Sequence, residues 1–182
     1  MGLFRRQKKR DGPPKAAAND LTGLQATDLQ ATELPSGWRI TGHGTAYRQG
    51  ELRLVLASAS STSPADLGGA AQFADEDAEA LGWFTAVLVP EPNNEFDPNA
   101  VAIYSADGPR VGYVPASHAS EFTEVITTLI NPRGSVGATC PAYVRNAREG
   151  ATGLALTLCC DMPNWILENG LEPDEDDDEL DN

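Results

Sequence analysis

A short polar loop holds the residues of this chain whose types and spacing could do chemistry. Asn93, Asn94, Phe96, Asp97 and Asn99 stand together in "PEPNNEFDPNA", directly before an alternating apolar run that predicts a strand. The carboxylate and amides can accept or donate hydrogen bonds, and the aromatic ring can stack on a flat ligand. A plain connection needs only a few turn residues, so this composition indicates a binding loop.

A second interpretation of the same residues is architectural. Asn and Asp side chains bond nearby backbone amides and hold tight turns, which accounts equally well for Asn93, Asn94, Asp97 and Asn99. Phe96 could likewise plug one end of the fold instead of meeting a ligand. The two roles are compatible, because a binding loop has to be rigid.

The sequence predicts no enzyme, no metal site and no cofactor. It has no nucleophile motif, no glycine-rich phosphate loop and no cluster of metal ligands. Asp97 and Glu91 alone lack the further carboxylates and lysine that a metal-dependent nuclease needs. The three cysteines, Cys140, Cys159 and Cys160, form no C-x-x-C pair, and we interpret them as core residues in a reducing cytoplasm.

Charge is distributed unevenly along the 182 residues, whose net charge is −14. Residues 1–15 hold six of the 13 cations, and residues 168–182 hold nine acids and no cation. The middle has 7 cations and 17 acids, so it is acidic as well. An acidic chain is not the usual composition of a nucleic-acid-binding protein.

These shifts in composition divide the chain into three regions. Residues 1–35 predict a disordered basic tail, and residues 163–182 predict a short helix followed by a disordered acidic tail. The domain between them, residues 36–162, is rich in short alternating segments. No apolar run is long enough to span a bilayer.

The middle region predicts a mainly β fold: a small, partly open β-barrel of about six strands with one or two helices. "GWRITGHGTAY" predicts a strand that breaks at Gly42 and Gly44, and "ELRLVLAS" predicts another from its alternating leucines. A short helix is expected around residues 75–81. Asp107-Gly108 predicts a hairpin turn, and Ser117 is the expected cap of a second helix.

Three elements in this order resemble the HIRAN domain: "GTAYRQGELRL", "LVPEPNNEFDPNAVAIY" and "GPRVGYVPASHASEF". The most specific part is acidic-Pro-Asn-Asn-x-aromatic-Asp-x-Asn-Ala-Val, which residues 91–101 fit throughout. The resemblance covers about residues 38–161. HIRAN domains stand alone in bacterial proteins or lie at the N-terminus of SWI/SNF-type fork-remodelling helicases.

The resemblance implies an OB-like barrel that binds single-stranded DNA and, in the helicase members, captures a free 3′-hydroxyl end. Asp97 and Asn94 would then lie near the terminal sugar and Phe96 beside the terminal base. Tyr47 matches an aromatic that stacks in the helicase members. The expected binding residues are Tyr47, Arg48, Asn94, Phe96, Asp97, Arg110 and Tyr113.

The chain departs from the helicase members at three positions. Ala46 stands where a well-studied type has arginine, Ala116 replaces a basic residue, and Tyr113 replaces a polar ring. Two phosphate contacts are therefore missing from those positions. The candidates to replace them are Arg48, Arg110 and Arg145.

The predicted function is a non-catalytic module that recognises single-stranded DNA, at its 3′-hydroxyl end, in DNA repair or replication-linked processes of a bacterial cytoplasm. The alternative is a protein–protein interaction module on an acidic barrel that binds no DNA. A strip of arginines beside the aromatic residues favours the first, and an acid-covered barrel favours the second.

Overall fold

A computed structural model describes residues 31–34, 38–59, 67, 80–106, 108–130, 137–148, 151–160 and 166 of this chain. The described residues form seven strands: β1 Ala31–Glu33, β2 Trp38–Thr41, β3 Ala80–Pro90, β4 Val101–Ser105, β5 Arg110–Tyr113, β6 Gly137–Asn146 and β7 Leu154–Cys160. They also form a 3-10 turn, Thr45–Tyr47, and two α-helices, α1 Gln49–Ser58 and α2 Ala116–Glu124. A π-helical segment, Val125–Ile130, continues α2.

Six of the strands form one antiparallel sheet in the order β2-β7-β6-β3-β4-β5, and β1 pairs in parallel with β6. The sheet curls until its two edges meet just beyond β2. There His43 and Tyr113 exchange both backbone hydrogen bonds, at 2.7 and 2.9 Å. Among the described residues, one pair therefore closes the curled half-barrel, and the predicted mainly β, partly open barrel is confirmed.

The core lies inside the curl and is filled by alternate residues of each strand. Phe84, Ala86 and Leu88 of β3 point into it, as the period of two in a strand requires. The opposite face of β3 is also covered: Trp83 packs on Tyr143 of β6 with ring centroids 4.8 Å apart. Burial on both faces explains why "WFTAVLV" is apolar almost without interruption.

The helices complete this core. Helix α1 contributes Leu52 and Val55, and α2 contributes Phe122, all nearly inaccessible to solvent. The π-helical segment adds Val125 and Ile126 to the same cluster. Burial of these side chains stabilises the barrel by about 1.5–3 kcal/mol each.

The segment "ELRLVLAS" is a helix, so the predicted strand is wrong. Leu52 and Val55 are buried, Leu56 packs against the same core, and Leu54 remains 64% exposed. Spacings of three and four residues place the buried set on one face of a helix. The alternating leucines fit a strand equally well locally, and tertiary packing decides between the two.

Two further expectations about helices are corrected. Helix α2 begins at Ala116 with Pro115 as its N-cap and no side-chain cap bond, so Ser117 lies within the first turn. Ala80 and Leu81 belong to strand β3 instead of a helix. The remainder of the helix expected over residues 75–81 lies outside the described residues.

The structured part begins earlier than the predicted boundary at residue 36. Strand β1 pairs with β6, and Leu34 after it is 1% exposed within the core. Residues 1–30 and 167–182, where tails are predicted, lie outside the described part. Of the short helix expected near the C-terminus, the structure describes only Ile166, which is helical and fully buried.

All three cysteines are free and buried, as expected for core residues. Burial raises the pKa of the Cys159 thiol to about 12. The pKa of Cys140 is also raised, first by its hydrogen bond with Cys160 and then by burial. The thiolate is the reactive form, so Cys140 and Cys159 are held in the unreactive thiol form at neutral pH.

Within the described ranges, no helix combines the length and the apolar character needed to cross a bilayer.

Candidate nucleic-acid interface

The loop between β3 and β4, residues 91–100, is built around the side chain of Asn94. Its Oδ1 accepts hydrogen bonds from the backbone N–H groups of Phe96, at 3.0 Å, and Asp97, at 3.3 Å. The backbone N–H of Asn94 in turn donates to the carbonyl of Glu91 at 2.9 Å. The 91–100 loop is thus held by its own polar side chains, as the architectural interpretation predicts.

Asp97 has the same kind of role, and its carboxylate remains partly exposed. Its Oδ1 accepts from the backbone N–H of Asn99 at 2.9 Å, and its carbonyl accepts from Ala100 at 3.0 Å. The neighbouring Phe96 is 88% exposed, so it does not plug the barrel. The loop therefore presents a bare aromatic ring at Phe96 and a partly exposed acidic residue at the next position.

Glu91 joins this loop to strand β5. Its Oε2 accepts from Nδ2 of Asn94 at 2.8 Å and from the hydroxyl of Tyr113 at 3.2 Å. Its Oε1 lies 3.2 Å from a guanidinium nitrogen of Arg110. One half-buried carboxylate thus holds three of the predicted site residues in a single network.

Arg110 and Tyr113 also contact each other directly. A guanidinium nitrogen of Arg110 donates to the Tyr113 hydroxyl at 2.6 Å, and the guanidinium carbon lies 5.0 Å from the centre of the ring. Burial, followed by the negative charge of Glu91, raises the pKa of Tyr113. The hydroxyl therefore stays protonated and donates to Glu91.

The turn that carries Tyr47 lies beside the ring of Tyr113. Gly44 precedes this turn with φ 73°, a left-handed conformation that favours glycine, and a Cβ there would be 3.9 Å from the Tyr113 ring. Tyr47 itself is 90% exposed. Arg48 follows it and pairs with Glu51 at 3.2 Å. The barrel closure thus brings the Tyr47 turn to strand β5.

The structure therefore joins five of the seven predicted site residues into two adjoining groups, and the other two, Phe96 and Asp97, lie on the loop that Asn94 holds. Asn94, Arg110 and Tyr113 share the network of Glu91, and Tyr47 and Arg48 lie on the turn next to it. The two arginines expected to contact phosphate each pair with a glutamate. Glu91 is not among the site residues predicted from the sequence. The matched motif begins with this acidic position, so the motif itself contained the information needed to include it.

Gln49 was also missed, and it ties the Tyr47 turn to the barrel. Its Nε2 donates to the carbonyls of Thr45, at 2.8 Å, and Leu154, at 3.0 Å. Its Oε1 accepts from the backbone N–H of Leu154 at 2.7 Å. The amide thus pairs with the backbone of β7 as a neighbouring strand would, across 105 residues of sequence.

Replacing Gln49 with alanine is expected to lower the free energy of unfolding by about 1–2 kcal/mol, because the backbone groups of Leu154 lose their partner. Urea unfolding measures the loss. Gln49→Glu keeps an acceptor for the Leu154 N–H but turns a carboxylate oxygen toward the carbonyls of Thr45 and Leu154, so it should be at least as destabilised as the alanine variant. If the Gln49→Ala variant is as stable as the wild type, the hydrogen bonds of Gln49 do not stabilise the fold, and the role given to this side chain is wrong.

No group of three or more His, Cys, Asp or Glu side chains suited to a metal ion occurs in the described part of the chain. Glu91 and Asp97 are instead occupied with holding the loop and the neighbouring strand.

A comparison with known families finds a match that includes this loop. Residues 85–140 match the family model of the HIRAN domain, which confirms the resemblance predicted from the sequence. The match runs from within β3 into β6 and contains the 91–100 loop, Arg110 and Tyr113. The Tyr47 turn precedes it. The HIRAN domain is known as a nucleic-acid-binding module. No curated protein and no solved structure matches the chain.

Proposed function

We propose that this chain, which carries a HIRAN domain over residues 85–140, is a non-catalytic module that binds single-stranded DNA at its 3′-hydroxyl end. The observation that carries the proposal is the pair of bare aromatic rings, Tyr47 at 90% and Phe96 at 88% exposure, presented on two hydrogen-bonded turns. Rings of this kind stack on bases with little sequence preference.

The carboxylate next to Phe96 supports recognition of the 3′ end. Asp97 uses Oδ1 to bond Asn99 within the loop and remains partly exposed. A carboxylate accepts a hydrogen bond from a terminal hydroxyl, whereas it repels a terminal phosphate. Stacking of the last base on Phe96 brings the sugar hydroxyl next to this group.

The two paired arginines do not oppose the proposal. The ion pairs Arg48–Glu51 and Arg110–Glu91 are partly exposed, and such pairs contribute about 0–1 kcal/mol. A phosphate matches the geometry of a guanidinium group as well as a carboxylate does. It can therefore replace Glu51 or Glu91 as the partner of the arginine at a small cost in free energy.

The charge of the described residues weakens the alternative of an acidic barrel for a protein partner. They include six arginines and seven carboxylates, which are nearly balanced: Arg39, Arg48, Arg53, Arg110, Arg145 and Arg148, with Glu33, Glu51, Glu91, Glu95, Asp97, Glu121 and Glu124. The large acid excess of the chain falls on residues outside the described part. The surface formed by the described residues is therefore nearly neutral in charge.

The setting follows from the same proposal. HIRAN domains of fork-remodelling helicases act on DNA ends, so we place this chain in DNA repair or replication-linked processes of a bacterial cytoplasm.

The test is fluorescence anisotropy of the full chain with two 5′-labelled oligonucleotides that differ only in a 3′-hydroxyl or a 3′-phosphate. Tighter binding of the hydroxyl end at moderate salt, retained after removal of residues 1–30, supports the proposal. Binding that disappears with residues 1–30 or with salt means that only a basic arm is at work, and it refutes the proposal.

Phe96→Ala is expected to weaken binding by about 1–2 kcal/mol, because stacking of one base is lost. The variant should unfold like the wild type, since the ring is 88% exposed. Leu54→Ala is the matched control: it removes another exposed apolar side chain, on helix α1, and should bind as the wild type does. Equal losses in both variants contradict a stacking role for Phe96.

A further inference from the structure

The strand at one edge of the closure presents a row of polar side chains on the outside of the barrel. Arg39, Thr41 and His43 are all exposed, while Ile40 between them is buried in the core. Successive members of the row are about 6.6 Å apart, because a strand rises about 3.3 Å per residue. The row runs along the outer face of β2 and its extension, and we call it the β2 row.

Arg145 of β6 reaches across β7 to this row. Its Nε donates to the Thr157 hydroxyl at 3.2 Å and its terminal nitrogens to Thr41, at 3.4 Å, and to the carbonyl of Asn146, at 3.0 Å. All three acceptors are neutral. The guanidinium is therefore fixed in place while its charge is not neutralised.

Arg39 and Arg145 differ in this respect from the arginines near Tyr113. Arg48 and Arg110 each have a glutamate at 3.2 Å. Among the described residues, no carboxylate lies within 4 Å of Arg39 or Arg145. The exposed outer face of β2, with Arg145 beside it, thus carries two positive charges that no described carboxylate neutralises.

This face is continuous with the proposed end-binding site. His43, at one end of the β2 row, pairs directly with Tyr113 across the closure. Tyr113 belongs to the network of Glu91, Asn94 and Arg110. A polymer leaving the site at Tyr113 therefore meets His43, Thr41 and Arg39 in order, with Arg145 alongside.

We propose that the β2 row and Arg145 form a path for the sugar-phosphate backbone of the single strand, upstream of its 3′ end. The inference rests on the proposed function and extends it from a terminal nucleotide to several nucleotides. Phosphates complement the charge of the Arg39 and Arg145 guanidinium groups, which no described carboxylate neutralises, and the hydroxyl of Thr41 is a neutral donor between them.

The test compares a 3-nucleotide with a 12-nucleotide 5′-labelled oligo(dT), both with a 3′-hydroxyl, by anisotropy on the full chain. Arg39→Ala, Arg145→Ala and the double variant are measured between 50 and 200 mM salt. Arg53→Ala, which removes an exposed arginine on α1, is the control of equal charge. Arg39→Glu reverses the charge of an exposed side chain without disturbing the core.

The double variant should bind the 12-mer on the order of 10-fold more weakly and the 3-mer as the wild type does. The fall in 12-mer affinity between 50 and 200 mM salt should become about 7-fold smaller, since each phosphate contact on a single strand contributes about 0.7 to the logarithmic slope. Arg39→Glu should weaken 12-mer binding more than Arg39→Ala.

Three results overturn the path. The first is unchanged 12-mer affinity in the double variant and in Arg39→Glu. In that case Arg39 and Arg145 do not bind DNA and are available to another acidic partner, such as residues 168–182 of the chain itself. The second is an equal loss in Arg53→Ala. The third is no binding of either oligonucleotide by the wild type, which refutes the end-binding function as well; loss of the path alone leaves 3-mer binding intact.

Discussion

Asp97→Asn should lower the affinity for a 3′-hydroxyl oligonucleotide by roughly 10- to 100-fold, the size expected for one hydrogen bond to a charged group. The substitution keeps Oδ1, so the bond from the Asn99 N–H and the shape of the loop are retained. It removes the carboxylate charge that is proposed to accept from the terminal hydroxyl. Anisotropy with the matched 3′-hydroxyl and 3′-phosphate oligonucleotides measures the effect.

Two comparisons make this result specific. Asp97→Asn should bind the 3′-phosphate end more tightly than the wild type does, because a repulsive charge is gone. Glu95→Gln removes a carboxylate from an exposed neighbour in the same loop and should leave the preference between ends unchanged. A loss of preference in Glu95→Gln of the same size contradicts a particular role for Asp97.

Gly112→Ala should lower the free energy of unfolding by about 3 kcal/mol. A Cβ at this position would lie 2.8 Å from the carbonyl oxygen of His43, which is backbone and cannot turn away. The added methyl therefore forces apart the pair that closes the barrel, so overpacking adds to weakened hydrogen bonds. Urea unfolding gives the change, and binding of the oligonucleotide should fall with it.

Gly50→Ala is the matched control for this glycine. A Cβ at Gly50 meets nothing within 4 Å, and the residue lies within helix α1. Alanine there should raise stability by about 0.4–1 kcal/mol, because it restricts the unfolded chain without a clash. A Gly112→Ala protein as stable as the wild type would show that the closure tolerates a wider separation.

Features that depend on neighbouring residues were predictable from the sequence. The 91–100 loop, the hairpin at Gly108 and the apolar strand β3 each follow from a few consecutive residue types. Helix α1 was not predictable in this way, because "ELRLVLAS" satisfies the period of a strand and that of a helix. Its packing against β3 and β5 comes from residues distant in sequence, and that packing makes the choice.

The site shows the same division. Phe96 and Asp97 can be proposed from the sequence because they lie within one short motif. The tie from Gln49 to Leu154 spans 105 residues, and the closure of His43 on Tyr113 spans 70 in the numbering, so no local pattern reveals either. Glu91 lay within the motif, but its link to Arg110 depends on the register of β4 and β5.

Because a single described residue pair closes the barrel, the barrel can open and close at that pair. The two backbone hydrogen bonds between His43 and Tyr113 are few compared with the long ladders that join β3 with β6 and β6 with β7. Local opening of the barrel therefore costs the least free energy at this pair. The Tyr47 turn lies on one side of the His43–Tyr113 pair and the 91–100 loop on the other. A DNA strand that contacts both sides binds only the closed form of the barrel. DNA affinity and the equilibrium between the closed and the open barrel are therefore linked, and binding of DNA favours the closed form.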